Sequence, residues 1–284
     1  MSSETDPQND GVFVGSGGFT VDRRRAVRKL RSFQLPTTFG ASLLFVRAAI
    51  AAKSSHIRIQ QQNLWCEVRF DGDPFEYALL QDPYAPILGD GQSDAKGRFL
   101  AYGLIHSLEY RPSAVTVRTG LDENRYRLIV SPEDASSARE DLQKIDAEGE
   151  TETSVQLEWS SRGKVHCRKS HLTKSSIKAN CAMCSATIAL GDTLVHDPEE
   201  DYPEGEMFQW DGATIVMDNT PVGSTGYLEL FHHGVRVQRL EFPDQEKSFR
   251  AWVDDSELTL NASLTGVAQD QRFKRLLREI KKAA

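Results

Sequence analysis

The sequence lacks long apolar runs and has few cysteines. No run approaches the length of a membrane span, and the first ten residues, MSSETDPQND, have neither the basic start nor the apolar stretch of a secretory signal. Only 4 of 284 residues are cysteine, and without a secretory route we expect reduced thiols and not disulfides. These absences predict a cytoplasmic protein that has no membrane partner.

An excess of basic residues is also missing. The 34 Lys and Arg stand against 41 Asp and Glu, which gives a formal charge of −7. A molecule of this charge repels nucleic acid, so we do not expect a nucleic-acid partner. Hydrophobic residues make up 39% and charged residues 26%, which is typical of a globular protein and excludes a fibre or a mainly disordered chain.

The distribution of polar and apolar residues predicts a tail followed by two domains. Residues 1–18 are polar and contain a GSGG run, which predicts a mobile tail. The segment over 160–171 turns small, polar and basic, and we place a domain boundary there, between residues 19–162 and residues 163–284. Helical and strand patterns occur in both parts, so we expect an α+β protein made of two α/β sandwich domains.

The first domain is predicted to begin with a basic helix and a buried helix. Helical spacing over 22–33 places apolar residues among the six basic residues from Arg23 to Arg31. The run over 38–53 is apolar on every side except Arg47, which indicates burial in a larger core. A third helix is predicted over 98–109, and strands at 56–61, 64–71, 114–119, 126–130 and 154–159. The acidic segment over 132–152 is expected to form either a solvated helix or a loose loop.

The second domain is predicted to contain strands between two helices. We expect a helix near 175–184 and a terminal helix that carries Phe273, Leu276, Leu277 and Ile280 on one face. His232 and His233 fall inside a strand pattern beside Gly234, where we expect a structural role. The predicted strands cover 186–190, 213–217, 227–232 and 249–253.

Residue types of a zinc site occur near the predicted boundary. Cys181 and Cys184 form a CxxC pair, with His166, Cys167 and His171 upstream. On a strand, the adjacent His166 and Cys167 would point to opposite faces, which does not suit a shared metal. The alternative is that Cys181 and Cys184 face the core at the end of a helix, since free cysteine is among the most buried residue types. We expect no metal, and Cys181 and Cys184 are the candidates if one binds.

The order of these elements and several short motifs resemble the GHKL ATPases, which include DNA gyrase, the ninety-kilodalton heat-shock chaperones, histidine kinases and mismatch-repair proteins. The buried helix ending in RAAIAA, the segment FDGDPF and the segment KGRFLAYGL resemble their nucleotide-binding domain. The strand LELFHHGVRV and the tail FRAWVDDSELTLNASLTGVAQDQRFKRLLREIKK resemble the chaperones' middle domain. The similarity runs from about Phe19 to the end, and the chain looks like a group of bacterial proteins related to these chaperones. The implied fold is a two-layer Bergerat-type sandwich followed by a chaperone-middle-like α/β domain.

The sequence departs from this family where ATP is hydrolysed. In the chaperones, the buried helix carries a Glu that activates water and an Asn that binds magnesium, and the matching positions here are Leu44 and Ala48. Leucine cannot take a proton from water, and alanine offers no oxygen to a hard cation. The Arg that reaches the terminal phosphate from the Leu-Asn-x-Ser turn is replaced by Leu264. The resemblance therefore implies a pseudo-ATPase.

Some residue types of the nucleotide pocket remain. The adenine-reading Asp of the family falls at Phe70 or Asp71, depending on a one-residue choice, and Pro74 stands where the family has its second glycine. If ATP and magnesium are bound, the resemblance implies that the site includes Asp71, Asp73, Gly97 and Gly103.

Two functions follow from these observations. The first is a non-hydrolysing interaction or scaffold module without a cofactor, which meets a protein partner through the basic helix at Arg23–Arg31 and the second-domain sheet. The alternative is a nucleotide-dependent, chaperone-like ATPase with an altered pocket. The sequence leaves the partner and the oligomeric state open.

Overall fold

The structure of the protein is a computed structural model that describes residues 23–32, 40–88, 94–132, 138–146, 150–219, 225–243 and 248–283. The predicted tail over 1–18 lies outside the described residues. The helices are α1 (Arg23–Ser32), α2 (Gly40–Ala51), α3 (Tyr77–Gln81), α4 (Ala85–Leu88), α5 (Ala95–Ser107), α6 (Lys164–Ser170), α7 (Lys174–Asn180) and α8 (Gln271–Ala283). None of these described helices is long and apolar enough to cross a membrane.

The strands form one sheet of eight and one of five. The strands of the large sheet run in the order β5-β4-β3-β6-β2-β1-β7-β8, and those of the small sheet in the order β12-β11-β13-β10-β9. Each sheet is antiparallel except for one parallel pair, β1 with β7 and β11 with β13. The strands are β1 (His56–Gln61), β2 (Trp65–Phe70), β3 (Ala114–Thr119), β4 (Tyr126–Pro132), β5 (Ala138–Lys144), β6 (Thr153–Glu158), β7 (Thr187–Leu190), β8 (Thr193–His196), β9 (Glu206–Trp210), β10 (Ala213–Asp218), β11 (Gly226–His232), β12 (Val235–Phe242) and β13 (Arg250–Asp254). This architecture confirms the predicted α+β class.

The predicted division at residues 162 and 163 does not coincide with the change from one sheet to the other. Strand β7 pairs in parallel with β1, with Ile188 opposite Ile57, and β8 follows it at the edge of the large sheet. Backbone groups on the open side of β1 need hydrogen-bond partners, and β7 supplies them. The chain therefore leaves the large sheet after His196 and enters the small one at Glu206. The division into two domains stays a prediction.

Three sequence predictions are wrong. The acidic segment contains β5, which pairs with β4 along the edge of the large sheet, where charged side chains are tolerated on a strand. The segment LELFHHGVRV is not one strand but the hairpin of β11 and β12, which turns at His233 (φ 50°) and Gly234 (φ 68°). His166 and Cys167 lie on helix α6 and not on a strand.

Helices α2 and α5 pack against each other over the large sheet. The predicted buried helix over 38–53 is confirmed as α2, and nearly all of its side chains are buried. Gly103 of α5 lies directly against the Phe45 ring of α2, so closely that a Cβ at this position would overlap the ring. The glycine therefore sets the distance between the two helices.

We expect the Gly103→Ala variant to be less stable than the wild type. Alanine in a helix interior should add about 1 kcal/mol of helix propensity. Overpacking a buried contact typically costs about 1–3 kcal/mol, and the Phe45 ring that the new methyl group would meet is fully buried. Denaturant unfolding should therefore show a net loss, and Phe45→Leu in the same chain should recover part of it. A stability gain in Gly103→Ala would contradict the close packing.

The small sheet carries an apolar cluster on each face. The predicted terminal helix is confirmed as α8, and its Phe273, Leu276 and Ile280 pack on one face of the sheet. On the other face, Phe231 and Trp252 form a separate apolar cluster with residues that include Met183. This cluster covers only part of the second face, where Met207, Gln209, Arg239 and Arg250 are exposed.

Candidate functional site

Asp71 directly follows β2 and lies beside the turn that joins α2 to β1. Strands β1 and β2 pair with Ile57 opposite Phe70, so the next residue of the hairpin, Asp71, comes beside His56. Phe70, the other alignment for the adenine-reading position, is buried and meets the Phe75 ring edge-on at 6.2 Å. Phe70 is therefore a core residue.

The Asp71 carboxylate accepts hydrogen bonds from the residues of this turn. Its Oδ1 accepts from the backbone N–H groups of Ser55 and His56, both at 2.8 Å, and from Ser54 Oγ at 2.6 Å. Its Oδ2 accepts from Ser55 Oγ at 2.5 Å and lies 3.4 Å from His56 Nδ1. Desolvation acts to raise the pKa of the Asp71 carboxyl, but these hydrogen bonds outweigh it and hold the pKa far below its ordinary value. A carboxylate has about four acceptor sites, and four short hydrogen bonds from the turn commit this one to the fold, three of them on Oδ1 and one on Oδ2.

The residues after Asp71 hold the end of α2. Gly72 has φ +105°, and a Cβ there would lie 2.6 Å from the carbonyl oxygen of Ala52. The backbone N–H of Asp73 donates to that same oxygen at 2.7 Å, which gives a partner to a carbonyl at the helix end. The Asp73 carboxylate forms an exposed ion pair with Lys53 at 3.4 Å. The backbone and the side chain of Asp73 thus both bind groups at the C-terminal end of α2.

Gly97 and Gly103 both belong to α5. Asp94 caps this helix, and its Oδ1 accepts from the Gly97 N–H at 2.8 Å. Gly103 packs against Phe45, as described above. Asp71, Asp73, Gly97 and Gly103 therefore each contact neighbouring parts of the fold, and none of them lines either cavity described below.

The three positions that the family resemblance aligns with catalytic residues are buried. Leu44 and Ala48 lie in the core side of α2. Leu264 is 9% exposed and packs against the same core, although it comes from the far end of the chain. Its φ of +57° is unusual for leucine.

A hydrogen-bonded loop holds Leu264 in this conformation. The side-chain oxygen of Asn261 accepts from the backbone N–H groups of Thr265 at 3.0 Å and Gly266 at 3.3 Å, and from Ser263 Oγ at 3.0 Å. The Leu264 N–H donates to the Asn261 carbonyl at 2.9 Å. Together with burial, these bonds compensate the backbone strain.

Leu44 and Leu264 line one cleft of about 450 Å³ between α2, β12 and this loop. The structure thus brings together two of the three replaced positions, while Ala48 is not part of the cleft lining. The cleft also contains Arg47, Arg236 and Arg239, which the sequence analysis did not connect with a site. Arg47 was a detectable signal, because it is a charged residue in an otherwise apolar helix.

Arg47 is anchored at the cleft and is only 4% exposed. Its Nη2 donates to the carbonyl oxygens of Val235 at 3.3 Å and Arg236 at 3.1 Å. Its Nε has no partner among the described residues. Desolvation lowers the pKa of Arg47 to about 10, which leaves the guanidinium charged at neutral pH.

The turn of the β11–β12 hairpin packs beside this arginine. The rings of His232 and His233 lie 5.5 and 5.4 Å from the Phe99 ring of α5. Burial, followed by the positive charge of Arg47 and Arg98, lowers the pKa of His232 to about 3 and that of His233 to about 4, so both are neutral at pH 7. These contacts give the pair a structural role, joining the small sheet to α5.

A second cavity, of about 770 Å³, lies over the large sheet. Polar side chains from neighbouring strands line it, among them Gln60, Glu67, Arg69, Arg118 and Gln156. The lining contains both acidic and basic side chains. Within it, Arg118 Nη1 donates to Gln156 Oε1 at 3.0 Å. The sequence analysis missed this cavity, although alternating polar positions in the strands were visible.

The cysteines do not assemble a metal centre in the described residues. Cys181 and Cys184 are fully buried, and burial raises the pKa of the Cys184 thiol to about 12. On α6, Cys167 Sγ lies 3.4 Å from His171 Nε2, one helical turn away, so the pair that meets is not the adjacent His166 and Cys167. No group of three or more His, Cys, Asp or Glu in the described ranges has a geometry that would hold a metal.

Comparison with known proteins gives no family for the chain. No protein-family model matches it, and no curated protein sequence matches it either.

Proposed function

We propose that the protein is a non-hydrolysing interaction or scaffold module of the GHKL and chaperone-related type. One observation carries the proposal. The carboxylate of Asp71, the acidic candidate for reading adenine, is held by four hydrogen bonds from the turn over Ser54, Ser55 and His56. A carboxylate that holds this turn would have to give up part of these bonds to turn toward a nucleotide base.

The replaced catalytic positions support the same proposal. Leu44 and Ala48 are buried in α2, and Leu264 is buried in the same core cluster. A group that accepts a proton, an oxygen that binds magnesium and a cation for the terminal phosphate are each missing at these three positions. Stabilisation of charge on the transferred phosphoryl group is the main catalytic effect in such chemistry, so hydrolysis is not expected.

Two surfaces are the best candidates for contact with a protein partner. Helix α1 exposes Arg25 and Lys29 on the surface. In the small sheet, the candidate is the face that carries the exposed Gln209 and Arg250, together with the edge strand β9, where Met207 is 56% exposed. An edge strand offers backbone donors and acceptors to a pairing segment.

We expect calorimetry with Mg-ATP and Mg-ADP to show no saturable binding. Loss of two hydrogen bonds to charged groups weakens a site by about 3–6 kcal/mol, which moves a micromolar site into the millimolar range or beyond. Phosphate release should stay at the buffer rate in the wild type and in Leu44→Glu, because Ala48 and Leu264 still lack the magnesium and phosphate ligands. The matched control is the same titration on a chaperone ATPase.

Saturable binding below about 100 μM, equivalent to more than about 5 kcal/mol, would overturn this proposal. It would favour the alternative of a nucleotide-dependent ATPase with an altered pocket. In that case Asp71→Asn should abolish binding if the nucleotide sits where the family resemblance implies.

A further inference from the structure

The cleft between α2, β12 and the loop over 261–266 has a positively charged lining. Arg47, Arg236 and Arg239 all line it, and none of the described Asp and Glu residues does. This is unusual in a chain whose formal charge is −7. A concave site with charge of one sign concentrates ligands of the opposite sign.

The neighbouring carboxylates compensate this charge only in part. Glu229 is buried and shares its two oxygens between Arg236 at 3.4 Å and Arg250 at 2.7 Å. Arg239 lies 4.0 Å from Glu241, and both side chains are about half exposed or more, so solvent screens the pair. Arg47 donates to two carbonyl oxygens, and the carboxylate whose charge acts on it, Asp254, is not part of the cleft lining. The cleft therefore keeps a net positive character.

The rest of the lining is apolar or neutral. Leu43, Leu44 and Leu264 lie on the side of α2 and the loop, and Val235 and Val237 on the side of β12. The volume of about 450 Å³ falls within the range of small-molecule sites, which are mostly apolar with a few placed polar groups. The lining thus combines an apolar wall with fixed guanidinium groups.

We propose that this cleft binds a small amphiphilic anion, namely a carboxylate or phosphate monoester that carries an aliphatic group. Arg47 and Arg236 receive the anionic head, because guanidinium groups form strong charge-assisted hydrogen bonds with carboxylate and phosphate. Leu44 and Leu264 contact the apolar body. The site is preorganised, since two backbone carbonyls hold the Arg47 guanidinium and Asn261 holds the loop.

Calorimetry on the full chain with four probes tests the proposal. Hexyl phosphate and hexanoate are expected to bind with a dissociation constant below about 1 mM. Hexanol lacks the charge and inorganic phosphate lacks the apolar body, so each should bind at least about tenfold more weakly, a loss of about 1.4 kcal/mol. The ratio between hexyl phosphate and hexanoate shows which head group the cleft prefers.

Two variants locate the binding in the cleft. Arg236→Gln should weaken hexyl phosphate at least about tenfold, whereas Arg250→Gln, which contacts the same Glu229 from outside the cleft, should change it less than about twofold. Leu264→Gly keeps the positive φ at no steric cost and removes the apolar wall, so it should weaken hexyl phosphate but not inorganic phosphate. Circular dichroism melting verifies that each variant is folded.

Equal binding of hexyl phosphate and hexanol would overturn the proposal, as would a folded Arg236→Gln variant with unchanged affinity. The experiment needs no nucleotide and no hydrolysis. Its outcome is therefore separate from that of the proposed function, which the Mg-ATP titration decides.

Discussion

Replacing Asp71 by asparagine is expected to lower the free energy of unfolding by about 2 kcal/mol at neutral pH. Hydrogen bonds to a charged acceptor contribute about 1.5–3 kcal/mol each when they are shielded from water. Asp71 accepts bonds from Ser54, Ser55 and His56, but its side chain is 39% exposed, so solvent screening reduces the sum. Asparagine keeps the size of the side chain and loses the charge and one acceptor oxygen.

The effect of Asp71→Asn should depend on pH. Because the folded pKa of Asp71 lies below its unfolded value, the carboxylate stabilises the fold fully above the ordinary aspartate pKa of about 3.9. That contribution is lost as the pH falls through the lowered pKa. Urea unfolding at several pH values should therefore give a constant difference between wild type and variant above about pH 5 and a shrinking difference below about pH 3.9.

Asp73→Asn is the matched control for this experiment. Asp73 belongs to the same loop, but its carboxylate meets only Lys53 in an exposed pair at 3.4 Å. Exposed pairs contribute about 0–1 kcal/mol, so the control should barely move the midpoint. If Asp71→Asn were as stable as the wild type at pH 7, the carboxylate would not be holding the turn.

The Arg272→Ala variant is expected to lose about 3–5 kcal/mol of stability. Arg272, near the start of α8, donates from Nε and Nη2 to the two oxygens of Asp255 at 2.8 and 2.9 Å. Asp255 is only 1% exposed, so removing the arginine leaves a buried carboxylate without its ionic partner. Breaking a buried pair on one side is strongly destabilising for this reason. The bidentate bond also fixes the start of α8 on the small sheet.

Arg275→Ala serves as the control for Arg272→Ala. Arg275 is one turn along α8, is about half exposed and lies 3.8 Å from Asp211. Its loss should change stability by less than about 1 kcal/mol. Guanidinium unfolding of the full chain compares the two. A small effect of Arg272→Ala, equal to that of Arg275→Ala, would mean that water or another group satisfies Asp255.

Local sequence patterns were sufficient to predict elements whose apolar residues alternate as in a strand or form a continuous run. The strand pattern at 56–61 gives β1 with the same bounds, and that at 114–119 gives β3. The apolar run over 38–53 gives α2 within two residues at each end. In each case the burial of alternating or continuous apolar positions is encoded within the segment itself.

Long-range pairing was not visible in the sequence. Strand β7 belongs to the large sheet because its backbone pairs with β1, and more than a hundred residues separate Ile57 from Ile188. Strand β5 reads as a polar, charged segment and is a strand only because β4 offers it an edge. Both outcomes depend on tertiary contacts that override local preference.

Of the candidate site, the position of Asp71 could be predicted from the sequence, and the cleft could not. The role of Asp71 follows from the predicted hairpin, because a tight turn between β1 and β2 brings residue 71 beside residue 56. The cleft was not predictable, since Leu44 and Leu264 meet through the packing of distant segments. Arg47 gave a partial signal, but its neighbours Arg236 and Arg239 read as ordinary strand residues.

The central claim is that the positions which resemble a nucleotide pocket hold the fold together and bind no nucleotide. The most direct measurement is a titration of isotope-labelled protein with Mg-ATP, followed through the backbone amide signals of Gly72, Gly97 and Gly103. We predict no saturable shift of these three signals up to about 5 mM ATP. Shifts of all three that saturate with one common dissociation constant would contradict the claim.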